Sequence, residues 1–355
     1  MYDVFRRWID RYFSDEEALI LLLLLSGLLL LVLFMGQVLA PFLVAVVVSY
    51  LLQGVVNAFK KRGVSHLTAT TVVFLLFMAI MLAFLLVVLP ATWKQLVEFV
   101  YEVPRMAQDG QDLLMLLPER YPDLVSMEQA VEWSKQIREE VTSLGQLVLT
   151  SSVSGITGVV TVLIYCVLVP ILVFFFLKDS HQIIKWLTDF LPRKRYLLNN
   201  VWTEMDLQIA NYIRGKSVEI VIVGGISYIT FVIFGLNYAA LLALLVGISV
   251  LIPYIGATVV TVPIALVGYM QWGWSDIFMW LMLAYLIIQA LDGNVLVPLL
   301  FSEVVNLHPV AIIFAVLVFG GLWGFWGVFF AIPLATLFKA VVTAWPVSHA
   351  AGEED

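Results

Sequence analysis

The sequence predicts an all-α polytopic membrane protein of about eight transmembrane helices, some of them broken, with a small helical extracytoplasmic insertion. Three observations lead there. The chain is 62% hydrophobic and only 13% charged. Its mean hydropathy is +1.00. It contains several apolar stretches of about twenty residues, the length a helix needs to cross the hydrocarbon core.

Hydropathy and helix breakers place spans at 18–35, 38–56, 68–92, 153–177, 216–235, 238–270, 277–298 and 309–344. The first follows Arg6, Arg7 and Arg11 and has no small-residue cleavage signature, so it reads as a retained span. Only Gly36-Gln37 separates it from the second, a break that serves equally as a turn or a kink. Lys60, Lys61 and Arg62 follow span two, and a basic run from Lys178 to Lys216 follows span four. Eight crossings put these segments and Lys339 on one side, so both termini are expected in the cytoplasm.

The opposite side receives Ala91 to Ser152, where acids recur from Glu98 to Glu140 and Pro104, Pro118 and Pro122 divide the segment. Ala130, Ser134, Ile137, Val141, Leu144 and Val148 alternate four and three apart, as on an amphipathic helix with a seam. That seam covers its own subunit or joins two copies, so self-association stays open. Ser180 to Tyr212 reads as amphipathic helices at the inner surface, with interleaved aromatic and basic residues. The resulting organisation is 1–92 (spans one to three), 93–152 (acidic insertion), 153–215 (span four and surface helices), 216–345 (spans five to eight, the expected transport core) and 346–355 (polar tail).

Span six is interrupted at Leu251-Ile-Pro253-Tyr254-Ile-Gly256, where proline removes a backbone donor. Irregular backbone at membrane depth is tolerated where it lines a cavity or is buried in protein, so the break serves as a ligand site or as a packing kink. Span seven carries Gln289, Asp292, Gly293, Asn294 and Pro298 within an apolar run. An acid at the bilayer centre costs about 2.5–3.5 kcal/mol on insertion scales, so Asp292 calls for a function or a polar neighbour. Protonated, it donates one hydrogen bond; ionised, it only accepts, which is what proton coupling requires. Gln289 and Asn294 are the accompanying candidates for substrate contact. Span eight holds Gly320, Gly321, Gly324 and Gly327 with Trp323 and Trp326, a close-packing face or a hinge.

Three secondary candidates complete the set. Glu219 stands within a turn of Arg214 and Lys216 and reads as one member of an ion pair at the inner interface. Glu303 and His308 occupy an expected outer loop, with His308 placed to cap the helix that Pro309 begins. The offsets from Asn237 to Pro263 and from His308 to Pro333 differ by one residue, which fits a parallel duplication or a chance likeness between apolar stretches.

Absences narrow the function. The single cysteine, Cys166, precludes an intramolecular disulfide and paired-cysteine metal binding. No phosphate loop, HExxH or GxSxG motif occurs, so no enzyme activity, cofactor or metal is expected. The net charge of -7 gives no footing for nucleic acid. The expected partners are the lipid bilayer and a small-molecule or ion substrate.

In order along the chain, Tyr212-Ile-Arg214-Gly215-Lys216, Leu251-Ile-Pro253-Tyr254-Ile-Gly256, Gln289 to Pro298, Asn306-Leu-His308-Pro309, Gly320-Gly321 with Trp323-Gly324-Phe-Trp326-Gly327, and Ala331-Ile-Pro333-Leu resemble the blocks of the autoinducer-2 exporter family of permeases, in its PerM-type branch. Many relatives have Glu where this chain has Asp292. The resemblance covers nearly the whole chain and implies a bacterial inner-membrane protein that exports small molecules. It also brings two family-level proposals, export of the autoinducer-2 signal and exchange of sodium or lithium for protons. The alternative reading is a channel-like or scaffold oligomer that recruits envelope partners through its acidic cap.

Overall fold

A computed structural model describes residues 16–120, 126–136, 138–139, 155–191, 195–253, 255–301 and 307–345. The described residues are overwhelmingly helical and contain no strand. Seven of the helices are long and apolar enough to cross a membrane, and two shorter apolar helices accompany them. The acidic segment beyond residue 140, Glu303 and the polar tail lie outside the described residues.

Helix α1 (Glu16–Lys61) runs unbroken through Gly36-Gln37, so the two spans expected at 18–35 and 38–56 form one hydrogen-bonded helix. It is not straight. Glu17 accepts a hydrogen bond from Leu197 N–H, and Tyr50 donates one to Asp206. At 1.5 Å per residue those α1 residues would lie about 50 Å apart on a straight helix, against about 14 Å for their partners. Pro41 lies in the intervening stretch, and proline is the usual cause of such a bend. A glycine alone costs a helix only about 1 kcal/mol, too little to release backbone groups into lipid.

Helix α2 (His66–Ala83) is capped by Ser65 and passes through a π turn at Phe84–Val88 into α3 (Leu89–Arg120). Helix α4 (Gly155–Lys178) lies along α1 and α2, with Val56, Ala69, Val73, Val169 and Val173 at the contact. The short amphipathic α5 (Ser180–Asp189) exposes Ile184, Trp186 and Leu187.

The organising element is α6 (Tyr196–Phe234), 39 residues long. It joins the expected surface helix to span five without interruption, so the boundary drawn at 215/216 falls inside it. Gly235, in the left-handed region at φ 72°, ends it.

Two helical hairpins embrace α6 from opposite ends. In the first, α7 (Ala239–Ser249) descends along α6 and α8 (Ile255–Trp272) returns. Gln271 closes its base, donating to the Gly235 carbonyl at 2.8 Å and accepting from Asn237 N–H at 2.9 Å. Replacing Gln271 with alanine leaves both backbone groups without those partners. Both bonds are exposed, so the expected cost is about 0.5–1.5 kcal/mol for each, read as a lower thermal midpoint in detergent; an unchanged midpoint would count against this role. Near the tip, a Cβ at Gly256 would fall onto the Ser249 carbonyl. The apolar run expected to be span six is therefore a helical hairpin and not one continuous helix.

Helix α9 (Asp276–Leu291) starts beside that base and runs antiparallel to α8, with Tyr285 bonded to Thr261 at 3.2 Å. A π turn at Asp292–Leu296 leads into α10 (Val297–Phe301), whose Phe301 packs on Gly215. The second hairpin consists of α11 (Pro309–Phe329) and α12 (Ala331–Ala344). It folds back at Gly324, with φ 58° and ψ -134°, which brings Gly327 against Phe319 and Gly320 against Val328. Ala340 lies with Leu197 and Val201 at the N-terminal end of α6.

This geometry corrects two expectations. The similar stretches are inverted, not parallel, because one hairpin has its base at the C-terminal end of α6 and the other at its N-terminal end. The connection after Phe301, expected on the same side as the acidic insertion, follows a helix that has already run to the level of Gly215. The insertion lies at the other end, where Gln95 of α3 accepts from Leu241 N–H and Phe99 stacks edge-on against Tyr238.

Candidate functional site

The tip of the first hairpin, α6, the π turn after α9, and Ile312 and Ile332 of the second hairpin enclose a cavity of about 520 Å³. That size accommodates a small ligand.

Its floor is charged. Lys216 and Glu219, three apart and therefore on one face of α6, are 5% and 1% exposed. The Lys216 ammonium lies 3.0 Å from one Glu219 oxygen and 2.8 Å from the other. It also donates to the Val250 carbonyl at 2.7 Å and sits 5.3 Å from the centre of the Phe301 ring. Val250 is the C-terminal cap of α7, where unpartnered carbonyls favour a cation. Glu219 is thus ion-paired as expected, but deep in the cavity wall and with Lys216 as its partner. Arg214 lies instead against Gly54 of α1.

Facing this pair, Gln289, Asp292 and Gly293 line the cavity. The π turn arises because Val297 N–H bonds back five residues to the Asp292 carbonyl. Pro298 has no N–H to offer Asn294, so the usual ladder is interrupted here. Asp292 Oδ1 is a buried atom with no hydrogen-bond partner among the described residues, and the Gln289 side chain lies beside the Tyr285 hydroxyl. An arrangement with a carboxylate, an amide and a pre-existing ion pair can hold a polar or charged guest and respond to the charge on Asp292.

The remaining candidates separate by position. Pro253 lines the cavity and Gly256 makes the close turn just beyond it. Asn294 faces away, exposed, with its amide donating to the Ala290 carbonyl. Pro298 is exposed on α10. Gly320, Gly321, Gly324 and Gly327 shape the second hairpin and do not line the cavity. His308 caps α11, its Nδ1 accepting from Val310 N–H. Sequence reasoning missed Lys216 as a site residue. Its signal was present in the three-residue spacing to Glu219, but nothing in that spacing reveals burial. No group of three or more metal-ligating side chains occurs among the described residues.

Comparison with known proteins identifies relatives along nearly the whole chain. The model of the AI-2E family transporters matches residues 19–347. The chain is 46% identical to "Putative permease PerM" of Escherichia coli strain K12, over 99% of this chain and 100% of that protein. It is 27% identical to "Putative transport protein YueF" of Bacillus subtilis strain 168, over 86% of this chain and 84% of that one. With the family match running through the helices that build the cavity, this chain belongs to the AI-2E family of membrane transporters.

Proposed function

We propose that the chain is a secondary transporter of the bacterial inner membrane that exports a small polar molecule or ion through this cavity, with Asp292 as the coupling residue. One observation carries the reading: Asp292 and Gln289 line the same cavity as the buried Lys216–Glu219 pair. A second carboxylate beside an ion pair already balanced in charge changes the net charge of the cavity by one when it gains or loses a proton. Cargo that binds only one of those states is thereby linked to the proton gradient. Gln289 supplies both a donor and an acceptor for cargo in either state.

The test uses proteoliposomes with a sealed pH-sensitive dye. A sodium or lithium pulse is applied outside, and efflux of a preloaded furanosyl diol is followed in parallel under an imposed proton gradient. Asp292→Asn is expected to reduce gradient-driven flux at least about tenfold, since it keeps the shape and removes the charge change. Wild-type flux in this variant would refute the coupling role.

A further inference from the structure

The two hairpins share a device where each is held to α6. In the first, the carbonyl of Val250 ends α7, and Pro253, three residues on, has no N–H to offer it. Lys216 supplies the donor at 2.7 Å. In the second, the carbonyl of Phe329 would bond the N–H four residues ahead, but that residue is Pro333. Tyr212 supplies the donor instead, its hydroxyl lying 2.9 Å from the Phe329 oxygen. Both donors belong to α6, stand four residues apart and so share a face. Both side chains are buried, Tyr212 at 1% and Lys216 at 5% exposure.

We propose that Tyr212 and Lys216 are a pair of latches, each holding one inverted hairpin against α6, and that releasing one opens the cavity toward one membrane face only. The hairpin bases lie at opposite ends of α6, and the cavity lies between the tip of the first and Ile312 and Ile332 of the second, so each hairpin walls it from a different side. Small residues leave the first hairpin free to slide: Gly247 of α7 meets Gly224 of α6 backbone to backbone. Its base, in contrast, is fixed by Gln271 and Gln95. Motion therefore concentrates at the tip, where the Lys216 bond is broken or made. Ile252 of the first tip packs with Ala315, Val316 and Ala331 of the second hairpin, so movement of one tip is felt by the other. In this arrangement Tyr212 and Lys216 are positioning residues that act through the hairpins.

The inference rests on reading the cavity as the transport site, but its test reads access and not flux, so the two can fail separately. Val297 lines the cavity. Val297→Cys in a Cys166→Ser background is labelled with a membrane-impermeant thiol reagent added to right-side-out and to inverted vesicles. Lys216→Met with Glu219→Met removes the latch without leaving a lone buried charge. It should raise labelling at least about tenfold from the face bearing α3 and leave the other face unchanged. Tyr212→Phe removes one oxygen and keeps the ring, and should raise labelling to a similar degree from the opposite face. Lys216→Arg retains a donor and should label like wild type. Wild-type rates in both latch variants, or increases from the same face or from both faces in either one, would overturn the proposal. If the double methionine variant does not fold, Tyr212→Phe and Lys216→Arg still decide it, since a latch requires face-selective labelling in the first and its absence in the second.

Discussion

Lys216→Met alone is expected to be among the most destabilising single substitutions in the chain, at about 3–5 kcal/mol. Glu219 is 1% exposed, and among the described residues its ion pair is with Lys216. Truncating the lysine strands that carboxylate and also removes the donor to the Val250 carbonyl. The measurement is thermal or denaturant unfolding in detergent. Lys216→Met with Glu219→Met should recover most of the loss, because desolvation penalises a lone charge far more than an absent pair. If the single and double variants unfold alike, the stranded charge is not the cause.

The second large effect concerns glycines that the sequence presents as equivalent. Gly256→Ala and Gly327→Ala each place a methyl onto a backbone carbonyl, of Ser249 and Phe319 respectively. A side chain could rotate away, whereas these carbonyls belong to the helices that form the turn. The cost should reach or exceed the roughly 1–3 kcal/mol of ordinary overpacking. Gly324→Ala adds backbone strain of about 1–3 kcal/mol, because φ 58° with ψ -134° is a region that side chains avoid. Gly321→Ala is the control: nothing lies within 4 Å of its added carbon. It sits on the helical approach to the turn and should be neutral or stabilising by up to about 1 kcal/mol. Yield of monodisperse protein and thermal midpoint separate the two groups. Equal behaviour across all four would contradict the hairpin geometry.

The helical class was legible because lipid admits few alternatives: apolar runs with no polar relief must satisfy their own backbone. The direction of the chain through the second half was not, and the reason lies in two stretches. The runs at 238–270 and 309–344 were read as single crossings, although a crossing needs only about twenty residues. Their excess length was the available sign of hairpins, and Pro253 and Gly324 mark the turns. Reading each as one pass reversed the inferred course of α9 and placed Asp292 near the wrong end.

Within the site, Asp292 stood out because an acid contrasts with its apolar surroundings, while Lys216 merged with the basic residues before it. Burial separates Lys216 from Arg214 only two residues away, and burial depends on Val250 and Phe301 arriving from distant parts of the chain. Asn294 shows the converse. Its proximity in sequence to Asp292 suggested a shared site, but the π turn carries it to the outer surface of the helix.

The contact between α3 and the first hairpin has a mechanical meaning. Tyr238, at φ 58°, is the one non-glycine residue in the left-handed region among the described residues, and it meets Phe99 just where α7 begins. Burial, then Glu102 and Glu98, push its phenol above the usual range, so it remains neutral at physiological pH. With Gln95 holding the next turn, α3 fixes the start of the short α7. The far end of that helix is capped by Val250, about 16 Å along. The acidic segment and the cavity wall are thus attached to the two ends of one short helix.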